Sequence, residues 1–196
     1  MHTELISIIL CTRDKNLLNP LVLKSINEQT YSVTELIIEE GVGNNNILRN
    51  RGFEKSNGVY IFFLDEDCIL HPNCLLLLYE QLMKCIVDFT YCNYERTGEL
   101  SGIQKGKNFD VETLKHMNYI STMSLIKRSI FPGFDPAIKR LQDFDLFLTI
   151  CENGYKGAWV DQCLFTAIYK KGDISTKGID DWLAWVNIVK NKHKLL

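Results

Sequence analysis

The sequence predicts an α/β domain in which helices flank a mainly parallel sheet. Three short apolar segments end abruptly in polar or acidic residues, as strands buried on both faces do: 5–11, 35–38 and 59–64. Helical patterns cover residues 17–29 and 44–55, and a third helix begins at Pro72, because proline is favoured in a first turn. This alternation of strands and helices indicates right-handed crossovers between parallel strands.

The second half of the chain is less regular. It contains predicted strands at 87–94, 119–126, 157–160 and 164–169, and a polar loop or ribbon at 95–110. Helices are predicted at 141–152 and 180–192, and in the second of these Trp182 and Trp185 are spaced like core-facing residues. Because the chain shows no linker or internal repeat, we expect residues 1–196 to form a single domain.

Composition and charge exclude several classes of protein. A formal net charge of -2 and a pI of about 6.1 argue against a general nucleic-acid or membrane-surface binder. The basic residues at 190–194 are interpreted as a solvated helix end rather than a docking patch. No apolar run is long enough for a signal peptide or a membrane span, so we expect a soluble, cytoplasmic protein, at most peripheral to a membrane. The seven cysteines lack zinc-site spacing, and their disulfide status stays open.

Polar and acidic residues follow each of the first three predicted strands. They are Thr12, Arg13 and Asp14, then Glu39 and Glu40, then Asp65, Glu66 and Asp67. Ligands of open α/β sheets bind outside the carboxyl ends of the strands, so we expect these residues to line one crevice. Clustered carboxylates need a cation or a donor-rich ligand, and a hard ion such as Mn²⁺ or Mg²⁺ suits oxygen ligands and phosphates. Asp-x-Asp alone also fits a solvated turn, but its position after a buried strand favours a metal site.

Two further segments carry candidate site residues. In Arg49-Asn50-Arg51-Gly52, arginine forks suit a diphosphate or the edge of a base. On the residues alone, the favoured alternative is a surface helix whose arginines pair with Glu28, Glu54 or solvent. In Gln142-Asp143-Phe144-Asp145-Leu146, Asp143 lies in a first helical turn and on a different face from the buried residues. Taken by itself, that position fits a helix cap.

Together, these segments resemble the family 2 glycosyltransferases, which have the Rossmann-like GT-A fold, from residue 5 to about residue 155. Five segments of the first half are similar to family motifs: Ser7 to Thr12, Gln29-Thr30-Tyr31, Glu35 to Ile38, Arg49-Asn50-Arg51-Gly52, and Gly58 to Asp67, which ends in the Asp-x-Asp. In the first of these, Cys11 stands where the family usually has proline. In the second half they are Pro132-Gly133-Phe134-Asp135 and the segment Gln142 to Leu146, which are similar to the acceptor-side Gly-Gly-Phe-Asp and Glu-Asp motifs.

The resemblance implies a hexosyltransferase-like enzyme that inverts the anomeric carbon. The donor would be a UDP- or GDP-sugar, the acceptor a hydroxyl of a carbohydrate, lipid-linked or protein substrate, and the cofactor Mn²⁺ or Mg²⁺. Residues 1–94 would form the nucleotide-sugar half and residues 95–196 the acceptor half. The resemblance places the metal on Asp67 and Asp65 and the general base at Asp143. It places the nucleotide sugar against Thr12, Arg13, Glu39, Glu40, Arg49, Asp65 and Glu66.

Three departures from the family pattern keep an alternative open. Glu39-Glu40-Gly41 replaces the usual two aspartates and has one residue fewer before the glycine. Gln142 replaces a glutamate beside the base. The usual arginine or histidine after the last strands is missing, and Lys170, Lys171 or Ser175 would take its place. The alternative is a non-catalytic nucleotide-sugar-binding module or a degenerate subunit. A nucleotidyltransferase is disfavoured, because residues 12–16 lack a glycine-rich phosphate loop. A partner subunit or a homodimer mate could complete so compact a site.

Overall fold

The computed structural model describes residues 4–171 and 178–195. These residues form eight strands: β1 (Ile6–Thr12), β2 (Thr34–Glu40), β3 (Tyr60–Asp65), β4 (Cys68–Leu70), β5 (Phe89–Gly98), β6 (Gly102–Gln104), β7 (Leu125–Lys127) and β8 (Gly157–Tyr169). They also form six α-helices: α1 (Pro20–Asn27), α2 (Asn45–Lys55), α3 (Cys74–Cys85), α4 (Val111–His116), α5 (Gln142–Glu152) and α6 (Ile179–Lys192). Two 3-10 turns lie at Lys15–Leu17 and Arg128–Ile130.

All eight strands belong to one sheet of order β2-β1-β3-β7-β5-β8-β4, with β6 beside β5. The long ladders are parallel and join β1 to β2, β1 to β3 and β5 to β8. The antiparallel ladders of β4, β6 and β7 are only two or three residue pairs long. The predicted α/β class with a mainly parallel sheet is confirmed. Cys11 of β1 pairs with both Glu39 and Asp65, so the polar ends of three strands meet at one edge.

Both faces of the sheet are covered, which explains why β3 is apolar from Tyr60 to Leu64. Successive side chains of a strand point to opposite faces. Phe62 and Leu64 therefore pack in one core cluster with α1 and α3, while Ile61 and Phe63 pack in a second cluster with α2 and α5. The apolar run ends at the partly exposed Asp65, where the strand leaves the core.

The second half contains a helix, α4, that was not predicted, and its strands differ from the prediction in three places. Strand β7 begins at Leu125 rather than at residue 119. Serine and threonine hydroxyls favour local turns over a ladder, and here the Ser124 hydroxyl donates to the carbonyl of Ser121. Residues 157–169 form one strand, because β8 continues along β5 past a bulge near Asn93. The expected boundary between residues 94 and 95 falls inside β5.

Helix α2 approaches β1 closely at Gly52, and this contact yields a stability prediction. A Cβ on Gly52 would lie 2.4 Å from Cγ2 of Ile9, so the helix can approach only where a side chain is missing. We expect Gly52→Ala to lower the free energy of unfolding by about 1–3 kcal/mol, as measured by urea denaturation. Gly41→Ala is the control, because its Cβ would meet the movable end of the Leu48 side chain. Equal losses in the two variants would contradict the close packing at Gly52.

The end of α6 is bound to α5 and is not a solvated helix end. Nζ of Lys192 donates to Asp135 at 2.8 Å and to Asp145 at 2.9 Å. The His193 ring lies 2.9 Å from Asp145 and 2.7 Å from Glu152. The prediction of a solvated basic tail is therefore wrong for these two residues, because acidic partners distant in sequence pack against them.

The outer part of α6 is less buried than its sequence pattern predicts. Trp182 is 38% exposed and Trp185 is partly buried, whereas Val189 is fully buried in the second core cluster. The predicted core role is therefore wrong for Trp182. All seven cysteines carry free thiols. No helix in the described part of the chain is long and apolar enough to span a bilayer.

His193 makes the attachment of α6 sensitive to pH. Burial opposes its protonation, but hydrogen bonds to Asp145 and Glu152 outweigh burial and raise the pKa of His193 above its ordinary value of 6.5. A raised pKa means that the stabilisation is complete below the pKa of the unfolded chain and is lost as pH rises through the folded-state pKa. We expect the stability gap between wild type and His193→Gln to shrink as pH rises above the ordinary histidine pKa of 6.5.

Denaturant titrations at several pH values measure this gap. His116→Gln, at an exposed histidine of α4, controls for the loss of an imidazole. A gap for His193→Gln that stays constant as pH rises above 6.5 would show that folding does not raise the pKa of His193.

Candidate active site

The ends of β1 and β3 are joined by a side-chain hydrogen bond. Thr12 is buried at the end of β1, and its hydroxyl donates to a carboxylate oxygen of Glu66 at 2.5 Å. The same hydroxyl accepts from the backbone N–H of Asp14 at 3.3 Å. Arg13, which lies between Thr12 and Asp14 in sequence, is exposed to solvent. The structure therefore brings together the first and third groups of predicted site residues.

Arg49 reaches the same edge from α2. Its guanidinium donates to Asp65 at 2.6 Å and to Oδ1 of Asn46 at 3.3 Å, and it lies 5.1 Å from the centre of the Phe134 ring. Burial works to lower the pKa of Arg49, but the neighbouring Asp65 carboxylate outweighs it, and the pKa is raised. The alternative of a surface arginine paired with Glu28 or Glu54 is therefore wrong for Arg49.

The remainder of the Arg-Asn-x-Gly segment attaches the acceptor-side turn to α2. The Asn50 amide donates to the Phe134 carbonyl at 2.8 Å and accepts from the Phe134 N–H at 2.7 Å. One turn earlier, the Asn46 amide donates to the carbonyls of Asp135 and Ile138, each at 2.8 Å. The helix thus presents a cation to the sheet edge and fixes the turn at residues 132–136.

The two glutamates at the end of β2 have different environments. Glu39 is 2% exposed, and its carboxylate accepts from Arg51 and from Lys55, each at 2.6 Å. Burial opposes the ionisation of Glu39, but these hydrogen bonds outweigh burial and hold its pKa below the ordinary value. Glu40 is exposed and lies 3.9 Å from the Lys15 ammonium. Of the pair, Glu40 therefore presents its carboxylate to solvent.

Asp67 lies in the turn that joins β3 to β4. Its backbone carbonyl accepts from the Ile168 N–H at 2.9 Å, which ties the turn to β8, and its carboxylate accepts from the Cys68 thiol at 3.4 Å. His71 contacts the Thr166 hydroxyl at 3.5 Å rather than this turn.

The turn offers few protein ligands to a divalent ion. Across residues 4–171 and 178–195, no three His, Cys, Asp or Glu side chains are grouped to hold a metal ion. Mg²⁺ at phosphate sites is commonly held by one or two carboxylates, with phosphate oxygens and water completing the set. Asp67, with Asp65 two residues before it, offers such an oxygen-only set.

Asp143 lies in the first turn of α5, after Leu141 in the left-handed conformation at φ 61°. Its carboxylate accepts from the Phe144 N–H at 2.9 Å and shares a hydrogen bond with the Asn118 side chain. Burial raises the pKa of Asp143, and those hydrogen bonds and the Arg49 charge only partly oppose this. A raised pKa makes the carboxylate a better proton acceptor than an ordinary aspartate.

One partner of Asp143 has no motif that marks it in the sequence. The side-chain carbonyl of Asn118 accepts from the Ile120 N–H at 3.4 Å, so its amide group faces Asp143 as a donor. Gln142 instead donates to the Lys139 carbonyl at 3.2 Å. Lys170 and Lys171 are exposed after β8, and Ser175 lies outside the described residues.

Comparisons with known proteins agree with this architecture. Residues 45–134 match the sequence profile of the family described as glycosyl transferase family 2. S. aureus TarS 1-349 in complex with UDP-GlcNAc has a TM-score of 0.70 at 11% identity, over 95% of this chain and 65% of that one. The Pyrobaculum calidifontis mannosyltransferase PcManGT, in complex with GDP-Man and Mn²⁺, has a TM-score of 0.63 at 13% identity, over 96% of this chain and 62% of that one. No curated protein sequence matched.

The architecture is thus that of the GT-A glycosyltransferases, a mostly parallel sheet flanked by helices. Within this class, residues 45–134 carry the match to glycosyl transferase family 2, which confirms the resemblance found in the sequence. The chain spans 60% to 65% of the length of TarS 1-349 and 62% of the mannosyltransferase.

Proposed function

We propose that the protein transfers a sugar, with inversion, from a nucleoside-diphosphate sugar to an acceptor hydroxyl. The observation that supports this best is that Arg49 binds Asp65 at the sheet edge that also carries Asp67, and lies within electrostatic range of Asp143. The complexes of TarS with UDP-GlcNAc and of the mannosyltransferase with GDP-Man support a UDP- or GDP-sugar as the donor. For the acceptor, we propose a hydroxyl of a carbohydrate, lipid-linked or protein substrate.

The donor would lie across the ends of β1, β2 and β3. Thr12, Arg13 and Glu66 would contact the nucleotide, with the exposed Glu40 at the base. The buried Glu39 would support α2 through its ion pairs with Arg51 and Lys55. Arg49 would bind the diphosphate, because a guanidinium fork matches phosphate oxygens.

Asp67, with Asp65 beside it, would hold Mn²⁺ or Mg²⁺. When bound, such an ion neutralises charge that builds on the diphosphate. The Mn²⁺ present with the mannosyltransferase supports this assignment. Asp65 is held by its ion pair with Arg49 through one carboxylate oxygen, and the Ile168 hydrogen bond keeps the Asp67 turn against β8.

Asp143 would act as the general base. Its carboxylate accepts the proton of the acceptor hydroxyl as that oxygen bonds to the anomeric carbon. The bond from the anomeric carbon to the diphosphate breaks on the opposite face, and the electron pair leaves with the nucleotide. Asn118 would hold the carboxylate in position, and residues 95–119 would contribute to the acceptor region.

Donor turnover tests the proposal. The protein is incubated with Mn²⁺ and a panel of UDP- and GDP-sugars, and release of the nucleoside diphosphate is followed. We expect slow hydrolysis of one donor that stops with EDTA and returns with Mn²⁺. Calorimetric titration of UDP and GDP measures binding separately.

Two negative outcomes have different meanings. Nucleotide binding without turnover would favour a non-catalytic nucleotide-sugar-binding subunit, an alternative supported by Gln142 facing Lys139 rather than the site. If neither UDP nor GDP binds, both functions are wrong.

A further inference from the structure

Arg96 of β5 stands in a row of paired residues that ends at Cys68, the residue next to Asp67 in sequence. Its Cα pairs with that of Ala167 on β8, and Ala167 pairs with Cys68 on β4. Directly paired residues project to the same face of a sheet, so these three side chains share one face. Cys68 immediately follows Asp67. Two strand spacings of about 4.8 Å separate Arg96 from Cys68, a distance that a long arginine side chain largely spans.

The guanidinium of Arg96 has an unused hydrogen-bond donor. Within residues 4–171 and 178–195, its Nε is the one buried side-chain nitrogen or oxygen without a hydrogen-bond partner. A buried donor that lacks a partner costs free energy, and buried polar groups are normally satisfied. Because this Nε is enclosed, it gains a partner when the arginine side chain shifts toward an anion at the binding edge.

Tyr94 and Tyr169 lie close enough to Arg96 to feel its charge, and each is also influenced by one of the proposed functional carboxylates, Asp143 or Asp67. Tyr94 and Tyr169 share a hydrogen bond. Burial raises the pKa of Tyr169, with Asp67 adding to the rise and Arg96 opposing it. Burial and Tyr169 raise the pKa of Tyr94, where Asp143 adds to the rise and Arg96 again opposes it. Arg96 thus influences the pKa of both tyrosines; the pKa of Tyr169 is also influenced by Asp67, and that of Tyr94 by Asp143.

We propose that Arg96 is a second arginine, beside Arg49, that binds the diphosphate of the donor. The inference rests on the proposed function, because the diphosphate is the anion expected next to Asp67. An arginine fork gives two parallel hydrogen bonds to phosphate oxygens, and its positive charge stabilises the leaving nucleotide. The residue is on a sheet strand, so its position is fixed before the donor binds.

Arg96→Met tests this inference, since methionine keeps most of the aliphatic stem and removes the guanidinium. UDP, GDP, UMP and GMP are titrated with Mn²⁺ into wild type and variant. We expect affinity for the diphosphates to fall about 10- to 100-fold, and affinity for the monophosphates to change less than about threefold. The melting temperature should stay equal or rise, because an unsatisfied buried donor is removed. An arginine with only a structural role would lower it.

Two further variants support the measurement. Lys84→Gln removes one exposed positive charge at the end of α3 and should leave all four affinities unchanged. Arg96→Lys retains the charge without the fork, and an intermediate loss of UDP affinity is expected. It also serves as the test if the methionine variant does not fold.

The outcomes separate this inference from the proposed function. Equal UDP affinity in wild type and in the Arg96 variants would overturn the role of Arg96 and leave the proposed function in place. Equal losses for UDP and UMP would also overturn it, because the contact would then not be to the second phosphate. Failure of wild type to bind either diphosphate would overturn both.

Discussion

Replacing Asp143 by asparagine should lower the rate of donor turnover by about 10²- to 10⁴-fold and leave nucleotide affinity unchanged. Asparagine matches the shape of the carboxylate and retains a carbonyl for the Phe144 N–H, but it cannot take the acceptor proton. Donor hydrolysis under saturating nucleotide sugar measures the rate, and calorimetry measures binding. Burial raises the pKa of Asp143, so protonation of this carboxylate should lower the wild-type rate as pH decreases. The decline should begin at a higher pH than it would for a base with the pKa of an ordinary aspartate.

The same substitution should not weaken the fold. A carboxyl pKa raised by burial means that the folded state disfavours the ionised form, so a neutral amide is expected to give an equal or higher melting temperature at neutral pH. Asp145→Asn is the matched control on the same helix, since Asp145 binds Lys192 and His193. It should lower stability and leave the turnover of folded protein nearly unchanged. Full turnover in Asp143→Asn would remove Asp143 from the proposed mechanism.

The fold and the edge of the site could be predicted because both follow from local patterns. A continuous apolar run such as that of β3 is rare outside strands buried on two faces, and its acidic end marks the carboxyl edge. Hydrophobic periodicity located α1, α5 and α6 for the same reason, whereas the short helix α4 was not predicted. Nothing local distinguishes Asn118 or Arg96, because the first acts from an irregular loop and the second through pairing with β8.

The basic end of α6 shows why charged residues were the harder part to predict. A cluster of lysines at a helix end usually faces water. The local sequence around Lys190 and Lys194 does not show that the two residues between them, Lys192 and His193, bind acidic side chains. The partners of Lys192 and His193 lie 41 to 57 residues away in sequence, on α5 and on the turn before it. In the same way, Asn50 bonds Phe134 across 84 residues, so the motif could be recognised but its structural role could not.

Replacing Arg49 by methionine should damage both the fold and the site. It removes the partner of Asp65 while leaving that carboxylate at the sheet edge. Losing one member of a buried ion pair typically costs about 3–5 kcal/mol, but the Asp65 side chain is 32% exposed and keeps part of its hydration. We therefore expect a loss of about 2–3 kcal/mol in the free energy of unfolding, with UDP and GDP affinity reduced at least about tenfold.

Two variants distinguish the electrostatic from the binding contribution of Arg49. Arg51→Met, on the same helix, should cost less stability, because Glu39 keeps its 2.6 Å ion pair with Lys55. Arg49→Met combined with Asp65→Asn removes the unpaired charge, so it should recover much of the lost stability without recovering nucleotide affinity. Recovery of both would mean that Arg49 serves only to neutralise Asp65 and that the Asp65 carboxylate is not needed to bind the nucleotide. No recovery of stability would mean that Arg49 stabilises the fold through packing on Phe134, over which its guanidinium lies.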